Sequence, residues 1–157
     1  MRPRRPVRGR QEVGRHRSRQ EHWRKESIRT CEEMGTLIGT VLGAMSTARF
    51  PEKDLFAMRL GLEEAIVNAV KHGHHGEWMK PVRVSFQVGP GEVRAKICDQ
   101  GAGFDPRHVP DPLAPENLEK PTGRGILFMH YYMTWIRYNR RGNCVTLCKQ
   151  RSTGRLA

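Results

Sequence analysis

Apolar residues along the chain change their spacing from segment to segment, and each change marks an element. Between Cys31 and Met45 they fall at Met34, Leu37, Ile38, Val41, Leu42 and Met45, at intervals of three and four, which gathers them into one stripe of a helix. STARFPEKD interrupts the stripe, and Pro51 suits the first turn of a second helix, where the amide it lacks would have no partner. That helix is expected from about Glu52 to His72, burying Leu55, Met58, Leu62, Ala65, Ile66 and Ala69, with Gly73 as its stop. The period then drops to two. VRVSFQV (82–88) and EVRAKIC (92–98) alternate apolar and polar residues on either side of Gly89-Pro90-Gly91, the pattern of a hairpin.

Residues 105–122 contain Pro106, Pro110, Pro112, Pro115 and Pro121, which excludes regular structure. A loop of that length within a compact domain tends to serve a function. A third helix starts near Gly125 and runs through Ile126, Leu127, Met129 and His130 to about Met133. TWIRYNRRGNCVTLCKQ closes the chain as two strands about Arg141-Gly142-Asn143, with Val145, Leu147 and Lys149 on one face, and Trp23 to Thr30 reads as a short first strand. No segment repeats another. The order helix, helix, hairpin, loop, helix, hairpin predicts an α+β fold: a two-layer α/β sandwich whose mostly antiparallel sheet is covered on one face by three helices.

Length and charge then limit what this fold serves. A chain of 157 residues supports one domain with a proper core, and therefore one site. The formal charge of +12 is uneven: residues 1–25 hold ten basic residues against Glu12 and Glu21, so +8 lies there and +4 in the remainder. MRPRRPVRGRQEVGRHRSRQ has almost no apolar residues and cannot offset the entropy of ordering, so residues 1–25 are expected to form a disordered basic arm. The domain is expected over 26–152, with a tail at 153–157. Nucleic-acid contact would rest on that arm alone, and a solvated tail is the plainer reading. With no apolar run of secretory or membrane-spanning kind, a cytoplasmic protein with no membrane contact is expected.

Cys31, Cys98, Cys144 and Cys148 form no C-x-x-C pair and have no histidines at zinc spacing, so buried free thiols are expected. His72, His74 and His75 lack a second ligand cluster, which favours a polar helix end over a metal site.

Three segments carry candidate chemistry. In EEAIVNAVKHG (63–73), Glu64 and Asn68 lie one turn apart beside the buried stripe of the second helix. In CDQGAGFD (98–105), Asp99 ends a strand and Gly101 and Gly103 allow the backbone to pass close to something flat, while a carboxylate there suits an exocyclic amine such as adenine's. A calcium loop would need Asp or Asn where Gly101 stands, and a Glu at the twelfth position; an unliganded turn remains the plain alternative. In TGRGI (122–126), Gly123 and Gly125 flank Arg124 before an apolar helix, where free amides suit phosphate, although a glycine-rich cap is the commoner use. The Walker A pattern is absent, as are the HRD and DFG elements of the protein-kinase loop set.

E-x-x-x-N on a helix, D-x-G-x-G after a strand and G-x-G at a helix start, in this order, resemble the Bergerat (GHKL) ATP-binding fold. Within it, EEAIVNAVKHG, CDQGAGFD and GRGILFMHYYMT are most similar to anti-sigma-factor serine/threonine kinases of the RsbW/SpoIIAB type, over about residues 25–150. The resemblance implies ATP and Mg2+ as cofactors. It implies Asn68 as the magnesium ligand, Glu64 as general base toward a protein hydroxyl, and Asp99 with Gly101 and Gly103 at the adenine. It further implies Gly123, Arg124 and Gly125 at the phosphates, the 105–122 loop as an ATP lid, and Thr146 as support for Asp99, although a plain strand threonine reads as well. Lys71 and His72 fall near the phosphate end in this scheme. The implied partners are a STAS-domain anti-sigma-factor antagonist, a sigma factor and a second copy in a homodimer. Two other functions compete: a nucleotide-gated module that sequesters a partner without turnover, and a detached histidine-kinase ATPase half. The intact Glu64 disfavours the first, and the lack of an upstream phosphoacceptor helix pair the second.

Overall fold

The structure, a computed structural model, describes residues 22–105, 107, 114–115 and 124–153. Its strands are β1 (Arg24–Ile28), β2 (Val82–Val88), β3 (Glu92–Cys98), β4 (Trp135–Tyr138) and β5 (Cys144–Gln150). They form one antiparallel sheet in the order β1-β2-β3-β5-β4. The helices among the described residues are α1 (Cys31–Thr47), α2 (Glu52–Asn68) and α3 (Arg124–Tyr132). The α+β architecture and the antiparallel sheet are therefore as the periodicity predicts. Arg24 and Lys25, assigned by charge to the arm, belong instead to β1; the rest of the arm, residues 1–21, lies outside the described residues.

The predicted stripes form the core. Leu37, Ile38, Val41, Leu42 and Met45 of α1 are buried with Met58, Leu62, Ala65 and Ile66 of α2 against the inward residues of the strands, among them Val84, Phe86, Ala95, Ile97 and Leu147. Helix α1 packs over β1 and β2, α2 over β3 and β5, and α3 against α2. Thr30 caps α1, its hydroxyl accepting the Glu33 N–H at 3.0 Å. Asp54, in the first turn of α2, is wholly buried: its carboxylate accepts the Ser152 N–H and hydroxyl, each at 2.7 Å, and lies 3.6 Å from Lys149 Nζ. That cluster joins the start of α2 to the end of β5.

Helix α2 does not run as α-helix to His72. From Ala69 to Gly73 it widens into a π-helical turn, in which the His74 N–H is shared between the Ala69 and Val70 carbonyls at 3.1 and 3.2 Å. The cysteines also depart from expectation. Cys98 and Cys144 face each other in register across β3 and β5 and form a disulfide, Cys31 is an exposed free thiol, and only Cys148 is a buried one. Burial, followed by the nearby Glu92 carboxylate, pushes the Cys148 thiol above its ordinary value.

Candidate functional site

A cavity of about 430 Å³ opens between the C-terminal end of α2 and the ends of β3 and β5. Alternation along the strands explains its lining. Val93, Ala95 and Ile97 point to the helices, so the next inward position after β3 is Asp99. Val145 and Leu147 do the same on β5 and Tyr138 on β4, where burial pushes the phenol above its usual range. Helix α2 supplies Ala65 and Asn68, and the π-helical turn supplies Ala69, His72 and Gly73. Mostly apolar walls with few polar groups are the usual make-up of a small-molecule site, and the volume lies in the usual range.

Three consecutive amides fix the turn that bears Asp99. The Asp99 N–H donates to the Asn143 carbonyl at 2.9 Å, the Gln100 N–H to His74 Nε2 at 2.8 Å, and the Gly101 N–H to Asp99 Oδ1 at 2.8 Å. Oδ1 is thereby engaged, while Oδ2 takes no hydrogen bond among the described residues. Close approach explains the glycines. A Cβ at Gly73 would enter the Asp99 carboxyl, one at Gly101 would meet the Gly73 carbonyl, and one at Gly103 would meet the Arg141 carbonyl. Gly103 also has φ +78, a conformation that suits glycine. His75 lines the cavity at φ 53, and left-handed backbone outside glycine concentrates at functional sites.

Of the residues named from sequence, Asn68, Asp99, Gly103 and His72 line this cavity together. Gly101 sits behind Asp99, in the turn that holds it. Glu64, one turn before Asn68, is half-buried outside the lining, and the backbone of Gly125 at the start of α3 lies directly against its carboxylate. Lys71 is exposed and does not line the cavity. Arg124 begins α3, with its side chain outside the described residues, as are Gly123 and most of the proline-rich loop. Thr146 is displaced from its implied role: it pairs with Lys96 and Arg137 on the uncovered sheet face, between inward Val145 and Leu147.

Asn143 stands where Thr146 was expected. It lines the cavity, and its Nδ2 donates to the Asp99 carbonyl at 3.4 Å. The sequence signal was its place in the turn opening β5, opposite the end of β3. Asn139 braces it, accepting the Asn143 N–H at 3.1 Å.

A model of the family described as the histidine kinase-like ATPase domain matches residues 29–149, most of the chain. The chain belongs to the histidine kinase-like ATPase family. Among its relatives, the serine/threonine-protein kinase BtrW of Bordetella bronchiseptica is 28% identical over 88 residues, 55% of this chain and 62% of BtrW. The serine-protein kinase RsbW of Oceanobacillus iheyensis is 22% identical over 114 residues, 69% of this chain and 72% of that protein. RsbW of Bacillus licheniformis is 26% identical over 112 residues, 68% and 70% of the two chains. The resemblance to RsbW-type kinases read from the motifs is borne out by these relatives.

The residues of this histidine kinase-like ATPase domain fit the groups its family implies. Asp99 Oδ2 is an acceptor on apolar walls, suited to an amine-bearing base, and Asn68 offers the hard side-chain oxygen that magnesium prefers, with water completing its shell.

Proposed function

We propose that this chain is an ATP-dependent protein kinase of the anti-sigma-factor type, transferring a phosphoryl group to a serine or threonine of a STAS-domain antagonist in a partner switch. The observation that carries the reading is the convergence of Asn68 and Asp99 on one cavity, with Glu64 one helical turn before Asn68. The names of the relatives, a serine/threonine-protein kinase and serine-protein kinases, support a serine or threonine acceptor.

In this reading Asp99 Oδ2 accepts the exocyclic amine of adenine, while Ile97, Val145 and Met129 exclude water from the base. Asn68 would hold magnesium through its side-chain oxygen, and the metal would supply neutralisation of the charge on the phosphates. Glu64 takes the proton of the acceptor hydroxyl as its oxygen bonds to the γ-phosphorus and the bond to the β-phosphate oxygen breaks, leaving ADP. Gly125, at the start of α3, lies directly against the Glu64 carboxylate, so a side chain added there would displace it.

The test is transfer of labelled γ-phosphate from Mg·ATP to a panel of STAS-domain proteins from the same organism, with wild type and Glu64→Gln. Serine or threonine labelling that Glu64→Gln abolishes supports the reading. ATP binding without transfer to any member would favour a nucleotide-gated module that sequesters a partner.

A further inference from the structure

His74 belongs to a run of histidines that reads as a polar helix end, yet its side chain is wholly buried. The π-helical turn carries it there, because widening the last turn after α2 swings residues 73 and 74 toward the end of β3. Its main chain is fully engaged, the N–H by the Ala69 and Val70 carbonyls and the carbonyl by the Glu77 N–H at 3.0 Å. Its Nε2 accepts the Gln100 N–H. Of the three amides that fix the Asp99 turn, this middle one depends on a side chain from another element.

An acceptor nitrogen carries no proton, so the ring proton sits on Nδ1, which has no partner among the described residues. A buried donor without a partner is unfavourable, and an aliphatic residue of similar volume would avoid it. What the imidazole supplies instead is the bond to Gln100. We infer that His74 is a positioning residue for base recognition: it holds the Gln100 amide and thereby aims Asp99 Oδ2 into the cavity. The inference rests on the reading of that cavity as a nucleotide site.

Wild type, His74→Leu and His74→Gln are titrated with Mg·ATP and with Mg·GTP, with melting curves to establish folding. Wild type favours ATP, because Oδ2 accepts from the adenine amine and repels the guanine carbonyl in its place. His74→Leu leaves the Gln100 N–H unpaired, weakens ATP about tenfold and narrows the preference over GTP. His74→Gln, whose side-chain oxygen reaches the position of Nε2, restores most of both. A general loss of packing would not be rescued in this way. Folded His74→Leu with wild-type affinity and preference overturns the inference and leaves the nucleotide site standing. Wild type that binds no ATP overturns that reading, and the inference with it. Should His74→Leu not fold, nitrogen NMR of the wild-type imidazole decides: an unprotonated Nε2 is expected, and a proton on Nε2 overturns the inference.

Discussion

The carboxyl group of Asp99 rests directly on the α-carbon of Gly73, with no room between them for even a methyl group. This contact joins the helix that carries Glu64 and Asn68 to the strand end that carries Asp99, and it fixes the width of the cavity between them. Gly73→Ala should push the carboxyl away at a cost of about 1–3 kcal/mol. The expected result is a lower melting temperature together with a roughly tenfold loss of ATP affinity, because the carboxyl is moved away from the base.

Gly125 makes a similar contact, but its neighbour is the flexible end of Glu64 rather than a strand end. Gly125→Ala is therefore expected to fold with a melting temperature near wild type, since a long side chain can swing aside. Displacement of Glu64, the proposed general base, should lower phosphoryl transfer roughly a hundredfold while ATP affinity changes little. Single-turnover transfer and an equilibrium titration on the same preparation separate the two effects.

Asp54 tests stability apart from the site. It lies fourteen residues before Asn68 on α2, about 21 Å along the axis. Asp54→Ala removes the acceptor of both Ser152 hydrogen bonds and the partner of Lys149, and should cost about 3 kcal/mol in denaturant unfolding. ATP affinity of the folded fraction should be unchanged.

The cysteines give a chemical check on the fold. Under non-reducing conditions the unfolded chain should show two reactive thiols, and four after reduction. In the folded protein near neutral pH an alkylating reagent should label exposed Cys31 and spare Cys148, which is buried and whose raised pKa keeps it a thiol.

The helices and the two hairpins were legible because each element carries its own period, three to four on α1 and α2 and two on β2 and β3, with turn residues between paired strands. The placement of Asn68 and Asp99 beside one cavity was legible because position along a single helix or strand sets where each points, whereas Glu64, one turn earlier, falls outside the lining. What was missed depends on partners distant in sequence. Asp54 reads as an ordinary acidic residue at a helix start, and only Lys149 and Ser152 at the other end of the chain make it a buried hub. His74 was hidden by the widening at Ala69–Gly73, which a regular helical period does not anticipate. The Cys98–Cys144 disulfide needs the register of β3 against β5. Thr146 is different, since alternation with Val145 and Leu147 already places it on the opposite face.

The nucleotide site is tested most directly by a calorimetric titration of wild type and Asp99→Asn with Mg·ATP. Magnesium-dependent binding by wild type is expected, with a loss of about tenfold or more in the variant, since an amide in place of the carboxylate no longer accepts the adenine amine as a charged acceptor does. Wild type that fails to bind, or Asp99→Asn that binds equally well, would contradict it.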